Sequence, residues 1–238
     1  MITIDKVSKI YNGTFKAVDD LSIEIGSGEI VGFIGPNGAG KTTTIKMLTG
    51  ILAPTEGTVE LNGFNIQTDA LEAKRQFGYV SDDPNAFLKL KGIEYLNFVA
   101  DIYGIDTQTR QARIRDLSEL LKMDTALNDK INSYSHGMRQ KIMVMGVLIH
   151  DPYLLILDEP LTGLDPQSAF ILKKLMRERA DAGKSVFFST HVLEVAEKLC
   201  DRIIIINHGK SIYEGTLDNL KSQYNELSLE EIFLEITQ

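Results

Sequence analysis

The sequence predicts an α/β protein built on a buried, mostly parallel sheet, and three observations support that expectation. Short apolar runs recur along the chain: EIVGFI at 29–34, YLLIL at 153–157, VFFS at 186–189 and IIII at 203–206. These runs are continuous rather than alternating, as expected for parallel strands covered by helices on both faces. The first run passes through a glycine-rich stretch into KTTTIKMLTGIL, which reads as a helix.

Read in chain order, the remaining elements follow from their periodicity. Residues 2–25 alternate in places, as in LSIEI at 21–25, and predict strands of a half-exposed antiparallel sheet. Between about 83 and 150 the pattern is mostly helical: IEYLNFVADIY, then RQARIRDLSELLKM, then the segment after YSHG. HG at 208–209, between IIII and SIYEG, predicts a hairpin turn. SLEEIFLEITQ, at 228–238, predicts a short amphipathic helix. Neither a linker-like stretch nor an internal repeat divides the chain, so residues 1–238 read as one domain.

Bulk properties narrow the function. Lys and Arg number 25 against 33 Asp and Glu, a formal net charge of −8. That balance argues against a nucleic-acid binder, which needs a basic face to neutralise phosphates. The single cysteine, Cys200, excludes an internal disulfide and fits a reducing cytosol. No apolar run approaches the ~20 residues of a membrane-spanning helix, and MITIDKVSKIYNG lacks the apolar centre of a signal peptide. The expectation is a cytoplasmic chain that reaches a membrane only through a partner.

Residues 35–43 read GPNGAGKTT and match G-x-x-x-x-G-K-[ST] through Gly35, Gly40, Lys41 and Thr42. Glycines let the backbone curl so that successive N–H groups face an anion, and the following helix presents its positive end there. Lys41 can reach β- and γ-phosphates, and the Thr42 hydroxyl can bind Mg²⁺. Many enzyme classes share such a loop, but no N-K-x-D guanine-reading motif is present. Residues 153–159, YLLILDE, supply the second half. A buried strand ending in Asp158 brings a carboxylate beside the loop, where it can hold Mg²⁺ through water. Glu159 is placed to polarise an attacking water as general base.

With PLTGLDP following, the chain resembles the ATP-binding subunits of ABC transporters over essentially its whole length. GPNGAGKTT is similar to the family's Walker A loop, LLILDE (154–159) to its Walker B strand, GLDP (163–166) to its D-loop, and STH (189–191) to the segment ending in the switch histidine, His191. YSHGM (134–138) stands where the family has its signature, usually L-S-G-G-Q. The resemblance implies a P-loop NTPase (RecA-like) core at 1–82 and 151–238, with an N-terminal antiparallel β-subdomain. An α-helical subdomain inserted at 83–150 would carry the signature. It implies ATP and Mg²⁺ as ligands. The ATP-binding residues would be Gly35, Pro36, Asn37, Gly38, Ala39, Gly40, Lys41, Thr42 and Thr43, with Tyr11 stacking on adenine. Glu159, His191 and Lys41 would be catalytic, and Thr42 and Asp158 would hold the metal. Ser135, Gly137 and Asp165 would act in trans, on ATP held by a second subunit bound head to tail.

The match departs from the family at three positions. His136 replaces the first signature glycine and Met138 the glutamine; histidine could add a donor or hinder closure. In FGYVSDDP (77–84), Asp82 stands where the family usually has a metal-ligating glutamine. Either Asp82 also ligates the metal, directly or through water, or the two acids before Pro84 form an ordinary turn. His136, His150 and His208 receive no catalytic role, and Met138, Met143 and Met145 read as core filling.

The function expected is ATP hydrolysis that drives substrate through separate membrane permease subunits, at the cytoplasmic face. LKLKGIEYLNFVADIYGI, TGLDP and LEEIFLEI resemble the ABC-2, multidrug- and peptide-exporter branch. The second ATPase can be an identical or a different chain. Asp82, Phe87, Leu88 and Leu90 are expected contacts for the permease. A soluble ABC-type ATPase acting in translation or chromosome maintenance is the alternative; those branches carry tandem cassettes or long coiled coils, neither of which occurs here. A binding protein with a dead ATPase is disfavoured by the presence of Lys41, Asp158, Glu159 and His191 together.

Overall fold

The computed structural model describes residues 1–224 and 227–237. Its elements run β1 (Ile2–Tyr11), β2 (Phe15–Ile25), β3 (Ile30–Ile34), α1 (Lys41–Leu48), β4 (Glu56–Leu61), β5 (Phe64–Asn65), α2 (Ala70–Arg75) and β6 (Phe77–Val80). Helices α3 (Gly92–Ile102), α4 (Thr107–Leu121) and α5 (His136–Ile149) follow, with a 3₁₀ turn at Ile131–Ser133. Then come β7 (Leu154–Asp158), α6 (Pro166–Asp181), β8 (Ser185–Thr190), α7 (Leu193–Leu199), β9 (Arg202–Asn207) and β10 (Lys210–Gly215). Helices α8 (Leu217–Gln223) and α9 (Leu229–Thr237) complete the order; Gln238, the last residue of the expected C-terminal helix, lies outside the described residues.

The continuous apolar runs form the central sheet, ordered β10-β9-β3-β8-β7-β6. Strands β9, β3, β8, β7 and β6 pair in parallel, and β10 returns antiparallel on β9. Every residue of β3, β7 and β8 is buried, because layers cover both faces. On one face Val31 and Phe33 pack with Ile2, Ile4 and Ile23 of the second, antiparallel sheet, ordered β2-β1-β4-β5. On the other, Leu155, Leu157 and Phe188 pack against Tyr95, Leu96, Ile142 and Met145 of the helices.

In the antiparallel sheet the alternating LSIEI segment buries Leu21, Ile23 and Ile25, with Ile2 opposite Ile25 and Ile4 opposite Ile23. Strand β4 buries only Val59 and Leu61 and so has little apolar pattern to read. The 208–209 turn appears as expected: His208 and Gly209 both have positive φ, 47° and 77°, as a two-residue turn matching strand twist requires. His150 is structural. It stacks on Tyr103 at 3.7 Å between ring centroids, its Nε2 lies 3.1 Å from the Phe77 carbonyl, and burial pushes its pKa down to about 4.

Helix α5 is set in place by a close contact with α3. A Cβ on Gly146 would lie 2.4 Å from the Tyr95 hydroxyl oxygen and 2.7 Å from its ring, so the buried tyrosine occupies the space of the missing side chain. Gly146→Ala should therefore destabilise the protein by ~1–3 kcal/mol through overpacking, against the ~1 kcal/mol of helix propensity that alanine would add elsewhere. A thermal unfolding curve should show Tm lower than the wild type by several degrees; an unchanged or higher Tm would show that Tyr95 yields freely.

Candidate active site

The glycine-rich loop leaves β3 at the C-terminal edge of the central sheet, the edge at which open α/β sheets place their ligands. Its path is tight. A Cβ on Gly35 would lie 2.4 Å from the Ile206 carbonyl oxygen of β9. One on Gly40 would lie 2.6 Å from the Ala17 carbonyl, and Gly40 also has φ 109°, a region that side chains disfavour. The loop is closed by Ala39, whose N–H donates to the Pro36 carbonyl and whose carbonyl accepts from Gly209. Helix α1 then starts at Lys41 with its N-terminus facing the loop.

The Lys41 side chain folds back over this loop, donating to the carbonyls of Gly35 (2.7 Å) and Pro36 (3.2 Å). It is 7% exposed, and burial lowers its pKa, opposed by the charges of Glu159 and Asp158. An ammonium has three donors, so one remains beyond the two carbonyls. A buried cation beside unpaired amides and a helix N-terminus favours an anion.

A cavity of about 360 Å³ opens over the loop. Asn37, Gly38, Gly40, Lys41, Thr42 and Thr43 form its floor, and Asp82, Asp158 and Glu159 enter from the strand ends. Tyr11, Phe15 and Ala17 of the β1–β2 hairpin make the remaining wall. Gly35, Pro36 and Ala39 do not line it and shape the loop from behind. Tyr11 and Phe15 pair across the hairpin and are 38% and 63% exposed, which leaves both rings open to a flat partner. The Lys9 ammonium sits 5.6 Å from the centre of the Tyr11 ring. Sequence reasoning missed Phe15; the available signal was a second aromatic just across the turn from the first.

Asp158 ends β7 and is 1% exposed. Its Oδ1 accepts from the Ser189 hydroxyl, whereas its Oδ2 is buried without a hydrogen-bond partner. Burial raises its pKa, an effect that the Ser189 hydroxyl opposes and nearby Asp82 reinforces; the Thr42 hydroxyl lies close by without meeting hydrogen-bond geometry. Buried polar atoms are nearly always satisfied, so an orphaned carboxylate oxygen points to something that binds there. Hard oxygens from Thr42, Asp158 and Asp82 suit Mg²⁺, which takes one or two carboxylates and fills its other positions with water and phosphate oxygens. The Ser81 hydroxyl donates to Asp82 Oδ1 at 2.9 Å, and Asp82 faces this cavity.

Directly after Asp158, Glu159 adopts φ 48°, a left-handed conformation rare outside glycine. Its N–H donates to the Ser189 hydroxyl at 3.0 Å, and His191 Nδ1 lies 3.0 Å from its Oε1. Ser189 therefore fixes both acids from the neighbouring strand. Sequence reading missed this residue; the signal was a polar position inside VFFST, a run otherwise suited to burial. Backbone strain of this kind, of order 1–3 kcal/mol, collects at functional sites.

Ser135, Gly137 and Asp165 do not line this cavity. Ser135 is the N-cap of α5, accepting from the Met138 N–H at 3.2 Å, which leaves its own hydroxyl hydrogen to donate. Gly137 lies against the Gly163 carbonyl. Asp165 caps α6, and hydrogen bonds from Ser168 hold its carboxyl below the usual range. Within one chain, then, the structure unites the loop, the two acids and the histidine, and leaves the signature segment at an exposed helix start.

Comparison with known proteins agrees with this arrangement. A family model described as ABC transporter matches residues 18–162. The chain is 34% identical to the ABC transporter ATP-binding protein NatA of Bacillus subtilis over 98% of its length and 97% of that protein's. It is 36% identical to Nod factor export ATP-binding protein I of Cupriavidus metallidurans, over 90% of this chain and 71% of that one. A solved ATP-binding subunit of an ABC transporter superposes with TM-score 0.94 at 32% identity, covering 100% of both chains. A dimeric bacterial ABC transporter cassette, MJ0796, superposes at 0.82 with 25% identity over 91% of this chain and 99% of that one. The loop, the paired acids after β7 and these relatives lead to one conclusion: the chain belongs to the ABC transporter family, as an ATP-binding subunit with the ATPase activity of its cassettes.

Proposed function

We propose that this subunit hydrolyses ATP within a head-to-tail dimer and that closure and reopening of the dimer drive export through separate membrane permeases. One observation carries the reading: Lys41, Thr42, Asp158 and Glu159 share one cavity, with His191 against Glu159, whereas Ser135, Gly137 and Asp165 lie outside it on the same chain. A second copy, or a related chain, would supply them to the γ-phosphate. The core then comprises 1–82 and 151–238, and α3–α5 form a helical subdomain within 83–150 around Tyr95, Leu96, Ile114 and Ile142.

In this mechanism Lys41 and the amides of Gly38 and Gly40 to Thr43 bind the phosphates, and Tyr11 with Phe15 takes the adenine. Thr42 and Asp158 would hold Mg²⁺, with Asp82 at the same edge. Bound there, the ion would offset charge building on the phosphate oxygens. Glu159 takes the proton of the attacking water. With Nδ1 protonated, His191 donates to Glu159 Oε1 and leaves the other carboxylate oxygen to act as the base.

Coupling to a membrane rests on separate support. Among the described residues no helix is long and apolar enough to cross a bilayer, so on this reading the permease does the spanning and the subunit sits at its cytoplasmic face. A groove of about 630 Å³ lined by Phe87, Leu88, Leu90 and Phe98 is the proposed docking place. Phe87 is held at φ 55° and the residue is 46% exposed, strain and exposure that a bound partner would compensate. Asp82 lines the nucleotide cavity rather than this groove. Export is the direction carried by the name of the Nod factor relative.

Three measurements test this reading. Glu159→Gln should retain ATP binding, lose turnover by ~10²–10⁴-fold, and elute as a dimer when MgATP is added; a monomer at saturating MgATP would overturn the dimer. Tyr11→Ala should raise KM for ATP about tenfold and Phe15→Ala a few-fold, on the scale of one lost stacking contact. A tagged chain recovered from gently solubilised membranes should bring a stoichiometric polytopic protein with it; ribosomal or chromosomal proteins in its place would reject the transport role.

A further inference from the structure

We infer that His136 is a positioning residue, whose imidazole packs on Gly163 and locks the signature turn to the D-loop so that Ser135 and Asp165 meet a partner's nucleotide as one unit. The inference rests on the head-to-tail dimer proposed above. A Cβ on Gly163 would lie 2.4 Å from His136 Cδ2 and 2.9 Å from its Nε2, so the ring fills the space that a side chain would take. Gly163 has φ 75°, which independently favours glycine there. The next residue of α5 repeats the contact: a Cβ on Gly137 would lie 3.4 Å from the Gly163 carbonyl oxygen and 3.7 Å from Leu164 Cδ2. Two residues beyond Gly163, Asp165 caps α6 through Ser168. A single ring therefore bridges two helix starts, capped by Ser135 and Asp165.

The placement is not explained by stability. His136 is exposed, and among the described residues it makes no hydrogen bond, so its contact with Gly163 is neither a core contact nor a polar one. Shape is its contribution. The segment 159–165 carries a turn and two positive-φ residues, Glu159 and Gly163, and a contact that limits its motion reduces the ordering cost when two subunits close. A glycine at position 136 would leave that space open. A histidine fills it, provided that position 163 remains glycine.

A mutant cycle tests the lock on the full chain. His136→Ala should keep Tm within about 2 °C and KM for ATP within about twofold, yet lower kcat roughly fivefold. In a Glu159→Gln background it should weaken MgATP-driven dimerisation by a similar factor. Gly163→Ala should be worse than His136→Ala, and adding His136→Gly to it should recover part of the loss, because the added methyl no longer meets the ring. Wild-type kcat and dimerisation in His136→Ala, or strictly additive effects in the double variant, would overturn the lock. So would a fall in Tm large enough to account for the lost activity. If Glu159→Gln itself stays monomeric, the dimer reading fails; if it dimerises and His136→Ala does so equally well, only the lock fails.

Discussion

The arrangement depends on how closely backbone approaches backbone at the C-terminal edge of the central sheet. Gly35 passes within carbonyl contact of Ile206, and both Gly40 and Gly209 lie against the Ala17 carbonyl. Three segments distant in sequence, the β1–β2 hairpin, the phosphate loop and the end of β9 with its turn, are thereby held in backbone contact. A side chain at these crossings would push the loop off its path, and with it the amides around Lys41. Moving any of the three would shift the aromatic wall, the lysine and the floor of the cavity together.

Around that edge, the two acids and the lysine are held in states unfavourable for an isolated fold. Asp158 is buried with one carboxylate oxygen unpaired, Glu159 sits in a left-handed conformation, and Lys41 is desolvated. Each costs stability on its own, and each is tolerable because the surrounding strands are fully buried and densely paired. Ser189 carries much of the organisation, accepting the N–H of one acid and donating to the carboxylate of the other. The site is thus stiff where the metal and water would sit. The hairpin that bears Tyr11 and Phe15 is open to solvent by comparison.

Much of this was legible in the sequence because the relevant patterns are local. A phosphate loop needs its glycines and lysine at fixed spacing along a single turn, and a buried strand announces itself by a continuous apolar run. The same holds for the 208–209 turn, whose two positive-φ residues adjoin in the chain. Strands β4 and β5 were not legible, since β4 buries just two side chains and owes its place to pairing with β1. Phe15 and Ser189 were missed for the same reason: their partners lie across a hairpin and on a neighbouring strand.

By itself, then, the sequence determined the class of chemistry, that of an ATP-binding cassette: a phosphate-loop pattern, an acid pair at a strand end and a serine helix cap, all written as short motifs. Tertiary structure decided which of them meet. It brought Asp158 and Glu159 to Lys41, and His191 to Glu159, by ordering β7, β8 and β3 side by side, and it left Ser135 and Gly137 outside the cavity. It also seated His136 on Gly163, a contact between residues 27 positions apart that no local pattern records. Spacing along a chain specifies what a turn or strand can do, whereas the approach of two such segments depends on packing summed over the whole core.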